Sequence, residues 1–270
     1  MANGAAVGSV EELWRFPVKS MQGERLQQAE LTDRGLVGDR SFGLIDVATG
    51  KAASAKNLHD FPGLLGLRAT FVEEPQAGRE PPAVRIELPD GATVTSDSGD
   101  ADSVLSAWFR REVTLGRAAP VPVTPGRSRT DIEGLVPAGS LLDAFPVSLI
   151  TTSTLFRLCD LQPGSRFDPR RFRMNLVLAT GEPGFLENDW VGRALGVGDG
   201  PRLGVTMLDP RCVMTTLPQD DLPQDAEILR TLTQHNRHQV ADLGRLPCAG
   251  VYAVVTTPGT IRVGDRVELD

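Results

Sequence analysis

Cysteine is scarce in this chain: Cys159, Cys212 and Cys248 are the only three in 270 residues, an odd number with no C-x-x-C spacing. Zinc ribbons and thioredoxin-type redox pairs are thereby excluded as motifs. The sparse usage fits a reducing compartment better than a disulfide-stapled secreted fold. Positive charge is not in excess either, with 28 Lys and Arg against 35 Asp and Glu and a formal net charge of −7. Wholesale binding to nucleic acid or anionic lipid is not expected of such a chain. No segment approaches the roughly 20 apolar residues of a membrane helix. Residues 1–12 hold no basic residue and no apolar run of signal-peptide length. A cytoplasmic protein with neither membrane nor nucleic-acid partners is expected.

What is present is a soluble composition, 40% hydrophobic and 23% charged, in a chain long enough for one large or two ordinary domains. Short apolar runs punctuated by Gly, Pro and Asp read as β structure. Val84-Arg85-Ile86-Glu87-Leu88, Pro89-Asp90-Gly91 and then residues 92–95 predict a hairpin. Residues 41–47, 65–72 and 251–255 read as further strands, and 260–269 as two strands around Gly264-Asp265. Tight turns between such strands favour barrels over a doubly wound sheet. Helical spacing appears at residues 102–111 and 225–237, and Thr151-Thr152-Ser153-Thr154 predicts a capped helix start. Residues 73–82 and 118–139 read as irregular, the second marking a domain boundary near residue 125 or a functional loop.

Cys212 stands out within Asp209-Pro210-Arg211-Cys212-Val213-Met214-Thr215-Thr216. The thiolate is the nucleophilic and metal-binding form of cysteine, and a neighbouring cation favours it. Three more places join a fixed cation to small or hydroxyl residues: Pro17-Val18-Lys19-Ser20, Gly35-Leu36-Val37-Gly38-Asp39-Arg40 and Arg171-Phe172-Arg173-Met174-Asn175. Guanidinium groups grip phosphate bidentately, and free N–H groups at a helix start such as 151–153 add anion contacts. In an acidic chain these local cations suggest an anion-binding site with a thiol in it.

Six segments in order carry a family resemblance: Phe16-Pro17-Val18-Lys19-Ser20, the G-x-x-G-D-R turn of residues 35–40, Phe172-Arg173-Met174-Asn175, Glu187-Asn188-Asp189-Trp190, the R-C-x-x-T-T run of 211–216, and Gly259-Thr260-Ile261-Arg262-Val263-Gly264-Asp265. The chain resembles the MOSC-domain proteins with an N-terminal MOSC β-barrel, the group that includes the mitochondrial amidoxime-reducing component and bacterial relatives. The resemblance implies a β-rich α+β fold, a MOSC-type β-barrel packed with an N-terminal β-barrel domain, with residues 7–125 as the N-terminal barrel and 126–270 as the MOSC domain. It further implies a molybdenum cofactor (Mo-molybdopterin) in the groove between the two. Cys212 would ligate the metal, a soft thiolate suiting it, and would be the catalytic residue. Lys19, Ser20 and Arg40 would hold the cofactor from one side; Thr151, Thr152, Arg173, Asn175 and Arg211 from the other.

The implied reaction is reduction of an N–OH group to N–H on a small N-hydroxylated substrate. No closely spaced cysteines are present to hold an iron–sulfur cluster, so a separate ferredoxin- or flavoprotein-type protein would donate electrons. Met174 departs from the family, which has Pro after the Arg. Alternatives are a sulfur carrier or sulfurtransferase using a Cys212 persulfide, and a non-catalytic cofactor carrier. His235 and His238 lie three apart but lack a third ligand nearby in sequence and read as surface residues. His59 follows Lys56-Asn57 in a loop that could border the groove. Cys159 and Cys248 read as structural. Asp39 and Asp209 flank the site as candidate proton relays, Asp39 equally as a turn former.

Overall fold

The computed structural model describes residues 4–118, 141–142 and 144–270. The boundary expected near residue 125, and a gating role for residues 119–139, lie outside them. Among the described residues the largest element is a closed barrel of seven strands. Around it run Val147–Thr151, Leu176–Ala179, Ala5–Arg15 (β1), Arg266–Leu269, Ala194–Val197, Arg202–Pro210 and Arg245–Thr257, the last returning to the first through Val147↔Ala253. Six of the seven seams are antiparallel; Val147–Thr151 and Leu176–Ala179 run parallel. A parallel pair needs a crossover, and the helix Thr152–Leu161 lies within that connection. Alternating inward residues, among them Leu13, Leu149, Leu178, Leu203 and Val251, fill the barrel. Each such buried aliphatic side chain contributes about 1.5–3 kcal/mol.

β1 is the first strand of the chain, yet it sits between strands from near residues 176 and 266. The N-terminal unit expected over 7–125 therefore shares its opening strand with the second barrel. After β1 the chain builds two small antiparallel sheets, Phe42–Asp46 with Val113–Arg117, and Arg68–Phe71, Val84–Glu87 and Thr93–Thr95. The helix Ala101–Phe109 (α1) buries Leu105 and Phe109 against them. The hairpin read from residues 84–95 forms, its turn held by Ala92 N–H donating to Asp90 at 3.0 Å. The helix starts also follow the pattern: Thr152–Leu161 (α2) is capped by Thr151, whose side chain accepts from Thr154 N–H at 3.2 Å, and Glu227–His235 (α3) follows later. Met214 and Leu217, just past Cys212, bury themselves in the N-terminal core, and Cys212 packs against it. That contact seats the cysteine at the meeting of the two units.

Candidate functional site

The sharp turns of the sequence bring its scattered cations together. The strand Arg202–Pro210 runs out of the barrel directly into Arg211 and Cys212, and Arg211 N–H donates to Pro247 O at 2.8 Å. Cys212 is half-buried and opens the 3₁₀ turn Val213–Thr216, its carbonyl accepting from Thr215 N–H at 3.2 Å and Thr215 Oγ1 at 3.0 Å. From the N-terminal side, the turn at residues 35–40 delivers Arg40. Gly35 has φ +97°, and a Cβ there would lie 2.3 Å from Pro146 O, so no other residue fits without moving backbone.

A cleft open to solvent collects Arg40, Lys56, Arg171, Arg173, Arg211, Asn175 and Cys212. Among the described residues five basic side chains line it against a single lining carboxylate, Asp209, in a protein of net charge −7. Arg40 and Arg211 grip the same turn. Each donates Nη1 to a buried aspartate, Asp39 or Asp209. Each donates Nη2 to one of two consecutive carbonyls, Arg40 to Arg173 O at 3.3 Å and Arg211 to Phe172 O. Arg173 donates to Met21 O and lies over the Phe16 ring at 4.3 Å. The two candidate proton relays, Asp39 and Asp209, each pair with one of these arginines. Arg171, not among the expected ligands, is buried and donates only to carbonyls, of Arg166, Thr215, Leu217 and Pro223. It braces the turn behind Cys212, and burial pulls its guanidinium below the ordinary value.

Ser20, Arg40 and Arg173 are three of six described non-glycine residues with positive φ, at 64°, 47° and 54°. Such strain tends to gather where function demands a geometry. Lys19 and Ser20 are buried beside the cleft and do not line it; Lys19 donates Nζ to Leu141 O at 2.9 Å. Asn175 lines it while tying strands together: its Oδ1 accepts from Ser148 N–H and Oγ, both at 3.1 Å. Met174, in place of proline, points into the third core cluster, where its Cε takes the space a Cβ on Gly250 would need.

The structure does not bring Thr151 and Thr152 to the cleft. Thr151 Oγ1 donates to Glu187 Oε2 at 2.6 Å, as does Thr154 Oγ1 at 2.8 Å. Thr152 Oγ1 accepts from Thr180 N–H at 3.0 Å. Their hydroxyls are used in fixing α2 and a fully buried carboxyl. Burial pushes the Glu187 carboxyl above the usual range, only partly offset by those hydroxyl donors. Cys248 is also buried, its thiol pushed up to about 12 by desolvation and by Asp209. His238 Nε2 lies 2.7 Å from Asn236 Oδ1 and His235 is exposed. Among the described residues no cluster of three or more His, Cys, Asp or Glu side chains could hold a metal. None of their helices is long and apolar enough to cross a membrane.

The residues of the cleft fit an anionic group with a thiophilic centre. The buried Nε of Arg211 has no hydrogen-bond partner, and a buried donor left unmade costs about 1–3 kcal/mol. An anion in the cleft would satisfy it beside the Cys212 thiol.

Residues 7–109 match the MOSC N-terminal β-barrel domain and residues 138–268 the MOSC domain. Mitochondrial amidoxime-reducing component 1 of Mus musculus is 27% identical, over 97% of this chain and 82% of its own. The human protein of the same name is 26% identical, over 97% and 83%. The YuaD protein from Bacillus subtilis superposes with a TM-score of 0.47 at 13% identity, covering 97% of this chain and 95% of its own. With the six motifs in order and both domain models matched along it, the chain belongs to the MOSC-domain proteins that carry an N-terminal MOSC β-barrel.

Proposed function

We propose that the protein is a molybdenum-cofactor oxidoreductase that reduces N-hydroxylated compounds, converting N–OH to N–H with two electrons and two protons and releasing water. The observation that carries this reading is the convergence of five cations and one thiol on a single cleft of an acidic protein. The curated relatives are named amidoxime-reducing components, which supports reduction at nitrogen. When bound, the cofactor supplies the two-electron chemistry at its metal; the protein supplies binding and orientation. Cys212 would ligate the metal. Arg211, Arg173, Arg40 and Lys56 would neutralise the anionic pterin and phosphate, and Asp39 and Asp209 would keep two of those guanidiniums aimed. Asn175, Lys19 and Ser20 would hold the cleft walls at the right separation. Electrons come from a separate ferredoxin- or flavoprotein-type donor, and the protein works in the cytoplasm.

Expression in a host that makes the cofactor, followed by measurement of molybdenum and pterin per chain, tests the reading. Near-stoichiometric loading is expected in the wild type, with Cys212→Ala losing the metal or all metal-centred activity. A wild type free of both metal and pterin sinks the proposal and leaves a Cys212 persulfide carrier to be tested. Full loading without reduction of any N-hydroxylated compound, given an artificial donor, points instead to a cofactor carrier.

A further inference from the structure

Cys212 borders two cavities. One is the arginine-lined cleft; the other is an adjoining chamber of about 590 Å³, inside the 300–1,000 Å³ range of small-molecule sites. Among the described residues only Cys212 and Lys56 line both. Apart from Cys212 and Val213, every residue of the chamber wall belongs to the N-terminal half. Its polar wall sorts into two parts. Arg111 donates Nε to Asp46 and Nη1 to Asp60 at 3.3 Å, so these three groups are committed to one another. Burial opposes ionisation of Asp46, yet the bond from Arg111 and backbone N–H donors outweigh it and hold the carboxyl below its usual range. Asp60 is held low by its hydrogen bonds with His59 and Asn57. The trio therefore carries one net negative charge. Lys51 and Lys56 add two positive charges, and the Lys51 ammonium makes no hydrogen bond or ion pair among the described residues. Phe61 and the half-exposed Val213 supply an apolar face.

We infer that substrate reaches Cys212 through this chamber, and that Lys51 makes it favour N-hydroxylated compounds bearing an acidic group on an aromatic or aliphatic body. The inference rests on the function proposed above for its substrate, but its geometry does not. A cofactor held in the cleft by guanidiniums would leave the chamber as a second opening onto Cys212, and a carboxylate entering there would meet the Lys51 ammonium.

Two measurements test this. In Cys159→Ser protein made without cofactor, Cys212 is labelled with an anionic and with a cationic methanethiosulfonate reagent, Cys248 being buried. Lys51→Glu is expected to lower the anionic-to-cationic rate ratio about threefold, the size of a two-charge change about one Debye length away in screened water. An unchanged ratio overturns the route. In the cofactor-loaded enzyme, kcat/KM is compared for carboxylate-bearing, neutral and amine-bearing aryl amidoximes. The order acidic, neutral, basic, flattened by Lys51→Glu, supports the specificity; equal values overturn it alone. If no amidoxime is reduced, the proposed function falls, while the labelling result still decides the route.

Discussion

Arg40 and Arg211 reach the Phe172–Arg173 turn from opposite halves of the protein with almost the same grip, and differ in what each is left able to do. Both side chains are 11% exposed and both aspartate partners 2%. Arg40 sits in left-handed backbone over the Phe16 ring at 4.7 Å, and the second oxygen of its partner Asp39 accepts the Phe16 N–H at 2.8 Å. That pair builds wall. Arg211 follows a strand, lies 5.6 Å from the Phe172 ring and keeps a buried Nε with no partner. That pair holds a donor in reserve. On the function proposed above both arginines would meet the cofactor, and of the two it is Arg211 that brings a buried donor no protein group satisfies.

Removing the carboxylates should break both clamps and gives the largest effect. Stranding a buried cation costs about 3–5 kcal/mol, so Asp209→Ala and Asp39→Ala should each lower unfolding free energy by that order in urea titrations. Asp39→Ala should be the worse of the two because Phe16 N–H also loses its acceptor. A cost under about 1 kcal/mol would mean the pairs do not stabilise the fold. Arg-to-Lys exchange sharpens the contrast, since Lys keeps the charge without the fork. Arg211→Lys should weaken pterin retention on dialysis about tenfold, or ~1.4 kcal/mol, and Arg40→Lys should weaken it less while also lowering the urea midpoint. Equal pterin loss in both would erase the distinction between wall and reserve.

Glu187 shows what a buried carboxyl looks like when hydroxyls replace the arginine. Its raised proton affinity in the folded state means that its favourable contribution is complete below the unfolded carboxylate range and is lost as pH rises through the higher folded value. Glu187→Gln should remove that slope, so the wild type should lose stability relative to the variant between pH 4 and neutrality; parallel curves would show that Glu187 ionises freely. The smallest effect belongs to the exposed version of the same pairing. Arg68 meets Asp220 at 2.6 Å with both side chains about one-third exposed, and Arg68→Ala should cost under about 1 kcal/mol.

Much of this was legible in local pattern. The 84–95 hairpin, all three helices and the four cation-bearing turns follow from spacing and turn chemistry, and Cys212, Arg40, Arg173, Asn175 and Arg211 do converge. What stayed hidden depends on contacts distant in sequence. Thr151 reads as an anion contact at a helix start until Glu187, in a later turn, is seen to take its hydroxyl. Asp39 reads as a relay or a turn former and Asp209 as a relay, and nothing in their neighbourhoods shows that their arginines also hold a turn near residue 172. Lys56 reads as loop, and its place between two cavities depends on how residues 51–61 fold over Cys212.

β1 carries a consequence for how the molecule is made. Ala5 pairs with Leu269, so one seam of the barrel joins staves far apart in sequence. A ribosome emitting the chain from its N-terminus must release both staves and everything between them before that seam can close, and pairings so distant in sequence are slow to form. Until then β1 offers bare edges that invite misassociation. The cleft between the halves is consequently a late product of synthesis, and the C-terminal half cut free of β1 would be a stave short.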